Sequence, residues 1–283
     1  MNFLLPIFAA FLEAGADALD KTILSVRRVD FRSYLGISFP LSFFILLIVF
    51  FIFRPPLLEN ALYANNLWIL LVLSISISIG NNFFWYRALK YDGLGEMETF
   101  STLSSLPIII FASIIFADER NFYILIPALA AVSAIMWSHW DRRHFKIARF
   151  TGIYLLWSIF VTPIGEVILK TLLQTWNPIS LDMIRSASIA LVLAPFYYKY
   201  DTKVSLNNFG LLILTNILTT GGWLLYFFSY KYSGIVYTVL LYSLQPLLAY
   251  FAALILLKER INRKKIFAFF IVLVAIIIAQ FMG

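Results

Sequence analysis

Glu13-Ala14-Gly15-Ala16-Asp17-Ala18-Leu19-Asp20-Lys21-Thr22-Ile23-Leu24 returns 149 residues later as Thr162-Pro163-Ile164-Gly165-Glu166-Val167-Ile168-Leu169-Lys170-Thr171-Leu172-Leu173. In both stretches an acid stands four residues before a lysine, Thr follows the lysine, and the surroundings are apolar. Further echoes keep the order. Lys90-Tyr91-Asp92-Gly93 pairs with Lys231-Tyr232-Ser233-Gly234, Pro107 with Pro246, and Ala117-Asp118-Glu119-Arg120 with Leu257-Lys258-Glu259-Arg260, as the offset drifts to about 140 residues. A self-similarity of this length makes the chain a duplication. The two copies are residues 1–145 and 146–283.

The medium of those copies follows from composition. Of 283 residues, 61% are hydrophobic and 13% charged, against roughly 45–50% and about 25% in a soluble domain. Apolar runs reach the ~18–20 residues that cross a bilayer as a helix, so the chain is an all-α integral membrane protein. Spans are expected near 3–25, 33–53, 66–88, 94–116, 122–140, 151–173, 179–200, 207–230, 234–257 and 265–282. The first is interrupted by Glu13, Asp17, Asp20 and Lys21. A signal peptide is the other reading there, but no Lys or Arg precedes the apolar run and the same pattern recurs in mid-chain. Ten transmembrane helices in two copies give five per copy, and an odd number inserts the copies upside down relative to each other.

Charge supports that inversion. The loop after the first span carries Arg27, Arg28 and Arg32, whereas its counterpart near 174–178 carries no base. Conversely, Arg120 alone follows span four, while Lys258, Arg260, Arg263, Lys264 and Lys265 follow span nine. Of 22 bases, 17 lie on the side of the odd-numbered loops, where cytoplasmic segments retain Lys and Arg. Both termini are therefore expected outside the plasma membrane. Two inverted halves around a midplane site are a transporter arrangement.

The motifs Arg87-Ala88-Leu89-Lys90-Tyr91, Ser104-Ser105-Leu106-Pro107 and Glu119-Arg120, with Ser229-Tyr230-Lys231-Tyr232, Ser243-Leu244-Gln245-Pro246 and Glu259-Arg260 in the second copy, resemble the EamA-like members of the drug/metabolite transporter superfamily. The resemblance covers essentially the whole chain. It implies a ten-helix secondary transporter of small metabolites, with a binding face from spans one, three, four, six, eight and nine, and both termini in the cytoplasm. The last point conflicts with the charge count, which we follow.

Ionisable groups at membrane depth mark function because hydrocarbon excludes them. Helical spacing puts Glu13, Asp17 and Lys21 on one stripe and Thr162, Glu166 and Lys170 on its repeat. Asp17–Lys21 and Glu166–Lys170 can pair within their helices; the counterpart of Glu13 is Thr162, which leaves that acid as a candidate proton or cation site. The stretch from Glu13 to Lys21 also resembles the first helix of small multidrug resistance exporters, which implies proton or cation exchange at Glu13. Asn82, Trp85, Trp223 and Tyr226 are candidates to line a cavity and hold a substrate by stacking or cation–π contact; an aromatic belt at the membrane surface is the alternative.

Other features read as structural. Ser74, Ser76, Ser78, Gly80 and Gly221-Gly222 permit close helix approach. Asp182 and Arg185, three apart, neutralise one another. Glu96 and Glu98 start a helix, with a substrate vestibule as the other reading; His139 and His144 are interfacial, and Pro6, Pro107, Pro163 and Pro246 kink their spans. No metal-ligand spacing, cofactor motif or catalytic motif such as HExxH or GxSxG is present, and Gly93-Leu94-Gly95-Glu96 only faintly resembles an intramembrane aspartyl protease loop. An enzyme is not expected, nor a nucleic-acid partner, since the basic residues belong to membrane loops. The expected partners are a small-molecule substrate, protons and the lipid bilayer. The expected function is an exporter of metabolites, amino acids or cationic or amphipathic compounds, coupled to protons through Glu13; the alternative is a lipid-carrier flippase on the same fold.

Overall fold

The computed structural model of the chain describes residues 3–26, 29–57, 66–91, 94–139, 149–199, 206–256 and 263–282, and every regular element among them is helical. In order these are α1 (Leu4–Lys21), α2 (Phe31–Phe53), α3 (Leu67–Tyr91), α4 (Leu94–Ile115), α5 (Phe122–His139), α6 (Arg149–Phe160) and α7 (Thr162–Thr175). There follow α8 (Pro178–Leu193), α9 (Pro195–Lys199), α10 (Leu206–Ser233), α11 (Ile235–Tyr242), α12 (Gln245–Leu256) and α13 (Arg263–Met282). Each expected span coincides with one helix or one broken pair. Phe31–Phe53, Leu67–Tyr91, Pro178–Tyr197, Asn208–Ser233 and Ile235–Ala252 are each long and apolar enough to cross a bilayer, and α6 with α7 makes a sixth crossing. Ser101–Ile115, Phe122–Ser138 and Ile266–Phe281 are shorter apolar helices, and α1 falls short through its charges. Glu259-Arg260, Arg142, Arg143, Lys146, His144, the boundary at 145/146 and the side chains of Glu96, Glu98 and His139 lie outside the described residues.

Of the four prolines expected to kink their spans, Pro163 stands at a bend: α6 and α7 meet at 45° at Val161, just before it. At Pro246 the regular helix is interrupted by a turn at Ser243-Leu244, and α12 restarts at Gln245. Pro107 lies inside an unbroken α4. Pro6 sits in the first turn of α1, where backbone N–H groups lack an intrahelical acceptor anyway.

Packing is between the halves more than within them. α1 lies against α10 and α12, α2 against α8, α3 against α6 and α7, α4 against α6, α7 and α12, and α5 against α13. Exchanging the first five spans for the last five maps this set of contacts onto itself. The outer surface carries large apolar side chains such as Phe51, Phe53, Phe122, Ile126, Leu191 and Phe281, all exposed. A surface of that character is a lipid-facing one.

Inside are two large apolar cores, one toward each end of the bundle, and a small cluster of Leu46, Ile179 and Leu224. The first contains Ile23, Leu24, Phe31, Tyr34, Leu89, Leu94 and Met97; the second contains Leu172, Leu173, Trp176, Tyr230, Ile235 and Ala268. Equivalent polar devices close the two ends. Asp30 caps α2 by accepting from Arg32 N at 3.0 Å, and Asn177 caps α8 by accepting from Ile179 N at 2.9 Å. Lys21 Nζ donates to Leu89 O at 2.7 Å and Lys90 Nζ to Asp30 Oδ1 at 3.2 Å. At the other end Lys231 Nζ donates to Trp176 O at 2.7 Å.

Lys170 overturns one expectation. It pairs with Asp118 Oδ2 at 2.8 Å and with Glu119 Oε1, across to the segment after α4, and not with Glu166 one turn below. Its hydrogen bond holds the Asp118 carboxyl below the ordinary carboxylate range. The same Glu119 accepts from Ile235 N at 2.6 Å and Val236 N at 2.9 Å, capping α11 with a side chain from the other half. Gly234 allows this: its φ is +86°, and a Cβ there would stand 2.6 Å from Glu119 Oε1.

Candidate functional site

A polar cavity in two contiguous lobes occupies the band between the cores. Along α3 the order is Leu67 and Leu71 in one core, Ser74 to Trp85 in the cavity wall, and Ala88 and Leu89 in the other core. Along α10 it runs from Leu212 through Thr220 and Trp223 to Tyr230, and along α4 from Leu94 and Met97 through Ser101 to Ala112. The band is thus near the middle of each helix, where ionisable groups are least easily solvated.

One lobe, of about 150 Å³, is acidic and aromatic. It contains all seven residues singled out from the sequence: Glu13, Asp17, Asn82, Trp85, Glu166, Trp223 and Tyr226. Glu13 is 6% exposed and its carboxyl packs on Gly222, where a Cβ would meet Oε1 at 2.8 Å. The glycine pair therefore makes room for the acid as well as for a helix. Asp17 accepts from Gln245 Nε2 at 2.5 Å. Trp85 meets Tyr154 edge-on at 5.3 Å; Trp223 meets Tyr226 at 5.3 Å, and Tyr226 meets Tyr242 at 4.7 Å. The Trp85–Tyr154 and Tyr226–Tyr242 contacts cross between helices, while Trp223 and Tyr226 are neighbours on α10. The Tyr226 hydroxyl is 2.7 Å from that of Tyr230.

The other lobe, of about 130 Å³, shares Asn81, Asn82, Thr162, Glu166 and Trp223 with the first and adds Ser42, Ser74, Ser78, Asp182, Arg185, Ser186 and Thr220. Asp182 and Arg185 act on each other electrostatically, as expected, and Glu166 adds to the field at the guanidinium; none of the three ion pairs with N···O within 4.0 Å among the described residues includes Asp182 or Arg185. Arg185 Nη2 instead donates to Ser78 Oγ at 2.6 Å, and its guanidinium lies 5.2 Å from the centre of the Phe227 ring. Ser74 and Ser78 line the cavity, while Gly80 does pack as expected, since a Cβ there would meet Trp157 at 2.4 Å. Asn82 Nδ2 is turned back to Ser78 O at 2.8 Å, and Thr162 Oγ1 reaches Asn81 Oδ1 at 3.4 Å.

Gln245, Tyr154, Thr162 and Arg185 are cavity residues that sequence reasoning passed over. Arg185 had a signal, being the base left inside a span. Asp20 has a different place: 1% exposed, it accepts from Tyr34 at 2.5 Å, Thr215 at 2.6 Å and Tyr86 at 3.1 Å, tying α1 to α2, α3 and α10. No group of three His, Cys, Asp or Glu among the described residues is placed to hold a metal ion.

Residues 150–281 match the EamA-like transporter family. Comparison with curated proteins gave no match. A solved structure titled "Crystal structure of protein" is similar over 99% of this chain and 98% of its own, with a TM-score of 0.77 at 14% identity. That likeness establishes the fold alone.

Proposed function

Taking as premise an EamA-like transporter domain across residues 150–281, we propose that the chain is a secondary transporter of small solutes, built as two inverted five-helix halves that open a shared cavity alternately to either side. The observation that carries this is the cavity itself. It lies between an apolar core toward each end, and helices of both halves line it, among them α1, α3 and α4 of the first and α7, α8 and α10 of the second. Rocking one half against the other would open one core and leave the other shut. The exchange-symmetric contacts and the equivalent lysine and cap positions support the inverted relation. The charge bias supports an orientation with both termini outside.

Glu13 is the coupling residue in this proposal. Buried against Gly222 and facing the aromatic lobe, it can hold a proton or a substrate cation but not both, which makes the transporter an exchanger and, under an inward proton gradient, an exporter. The test begins with a thermal-shift screen of metabolites on the purified protein, then measures proton movement in proteoliposomes driven by any solute found. Glu13→Gln should fold yet move no protons; unchanged coupling removes Glu13 from the mechanism.

One feature favours a flippase reading. An apolar groove lined by Pro40, Phe43, Ala187, Ala190, Leu191, Ala194 and Pro195 runs between α2 and α8 on its outer side and could seat an acyl chain. Flux of a water-soluble solute, without lipid scrambling, decides for the transporter.

A further inference from the structure

The apolar groove between α2 and α8 lies on the back of the cavity wall: Phe39, Ser42, Ser186 and Ile189 line the cavity, while Pro40, Phe43, Ala187 and Ala190 line the groove. On α8 the stripe Ala187, Ala190 and Ala194, spaced three and four apart, puts methyl groups where larger side chains would close the crevice, and Pro195 turns the chain at its end. The hollow measures about 490 Å³, inside the ~300–1,000 Å³ range of ligand sites. It occupies one leaflet. Pro40 stands nine residues after Phe31, about 13 Å along the axis at ~1.5 Å per residue, and the hydrocarbon of one leaflet is about 15 Å deep. The duplication makes the groove one-sided. At the offset of 147 that relates Asp30 to Asn177, the positions of Ala190, Leu191, Ala194 and Pro195 fall on Phe43, Phe44, Leu47 and Ile48, so bulky side chains stand where the opposite leaflet would have the matching hollow. The groove runs toward the basic end of its two helices. There α9 crosses onto α2 at Gly36, where a Cβ would meet Tyr197 N at 2.5 Å, one turn from Arg32. Around that end the sequence also carries Arg27, Arg28, Lys199 and Lys203, whereas the segments at the opposite end of α2 and α8 carry Arg54 alone.

We propose that this groove is a resident lipid site, holding one acyl chain of an anionic phospholipid whose phosphate lies at the Arg32 end. Apolar contact supplies the hold, growing with each methylene buried, and the bases select the headgroup, as juxtamembrane Lys and Arg do for anionic leaflets. A second apolar groove gives the comparison. It lies between α5 and α13, measures about 300 Å³ and sits toward the end of α5 where Arg120 is the single base, so it offers apolar surface without the charge cluster. The lipid is a fixed part of the protein in this proposal and not its cargo. Because α2 and α8 belong to different halves, the chain lies along their seam, and the site stands whether or not a solute is carried through the cavity.

The test offers the purified, delipidated full chain phosphatidylglycerol or phosphatidylcholine with the same acyl chains and reads the retained lipid by native mass spectrometry. Wild type should keep one phosphatidylglycerol and retain it roughly tenfold better than phosphatidylcholine. Ala190→Phe with Ala194→Leu installs the residues of the other copy and should cut that retention about tenfold, whereas Ala130→Phe in the α5–α13 groove should leave it unchanged. Each single variant should weaken retention severalfold, and these decide if the pair fails to fold. Arg32→Gln should narrow the preference for phosphatidylglycerol about fivefold while the acyl chain still binds. Added phosphatidylglycerol should raise the melting temperature of wild type and not that of the filled variants. No retained lipid, full retention by the filled variants, or equal retention of the two lipids by wild type overturns the assignment. So does a wild-type dimer that filling the groove breaks, since a second copy is then the occupant. Lipid scrambling in proteoliposomes that filling abolishes also overturns it, by making the lipid cargo.

Discussion

Replacing Glu119 by Ala removes one side chain and breaks three interactions joining the two halves. The carboxylate is 5% exposed; it pairs with Lys170, itself 6% exposed, and accepts from Ile235 N and Val236 N. Losing one member of a buried pair costs about 3–5 kcal/mol, since the surviving charge stays buried. Each orphaned N–H adds about 1–3 kcal/mol when desolvated. These losses share one group and are not additive, and Asp118 remains to hold part of the Lys170 charge. A net loss of about 4 kcal/mol follows, which lowers the melting temperature on the order of 10 °C. The assay is thermal unfolding of the detergent-solubilised protein, with Asp118→Ala as control. Asp118 is 67% exposed, so its removal should cost under about 1 kcal/mol. The double variant Glu119→Met with Lys170→Met should recover part of the loss, because it removes the stranded charge while the two N–H groups stay orphaned. If Glu119→Ala melts together with Asp118→Ala, Glu119 is not the clasp between the halves.

Asp20→Asn should destabilise by about 2–3 kcal/mol, read in the same melting assay, because a charged acceptor of three hydroxyls becomes an amide that offers donors to donors; Thr215→Val should cost less, and equal losses would mean the charge is irrelevant. Orientation is open to direct labelling, since the chain contains no cysteine. With a membrane-impermeant maleimide, Asn121→Cys should react in intact cells and Lys203→Cys only after permeabilisation, and the opposite pattern would place both termini in the cytoplasm.

How far the sequence could be read depended on range. Apolar runs and caps are local, so the spans, Asp30 and Asn177 were all within reach. The candidate cavity residues were accessible through a thermodynamic signal: Glu13, Asp17 and Glu166 stand where a charge has no cause to be unless something polar surrounds it. Arg185 gave the same signal, and Asp182 three residues away offered a local explanation, to which the coordinates add Glu166 and Ser78. Lys170 misled. Its true partners are about fifty residues distant in sequence, and the i, i+4 rule ranks Glu166 above them because it sees one helix at a time. Gln245 and Tyr154 carried no signal, being ordinary residues made part of a wall by tertiary packing.

The duplication separates what holds the protein together from what the cavity recognises. Near the ends of the bundle the copies match in kind: Lys21 with Lys170, Asp30 with Asn177, Lys90 with Lys231. In the cavity they do not. By the same offsets Glu13 corresponds to Thr162 and Arg185 to Ser38, which accepts from Asn216 Nδ2 at 3.3 Å instead of carrying a charge. The helices diverge likewise, with Pro107 riding inside an unbroken α4 while the counterpart span breaks just before Pro246. Under the proposed mechanism the ends of the bundle need to be equivalent, because each would close one side in turn. The cavity wall lacks that equivalence: Glu13 has no matching acid and Arg185 no matching base in the other copy, and symmetrising the wall by Thr162→Glu or Ser38→Arg would place a second charge opposite the first without adding a partner for it.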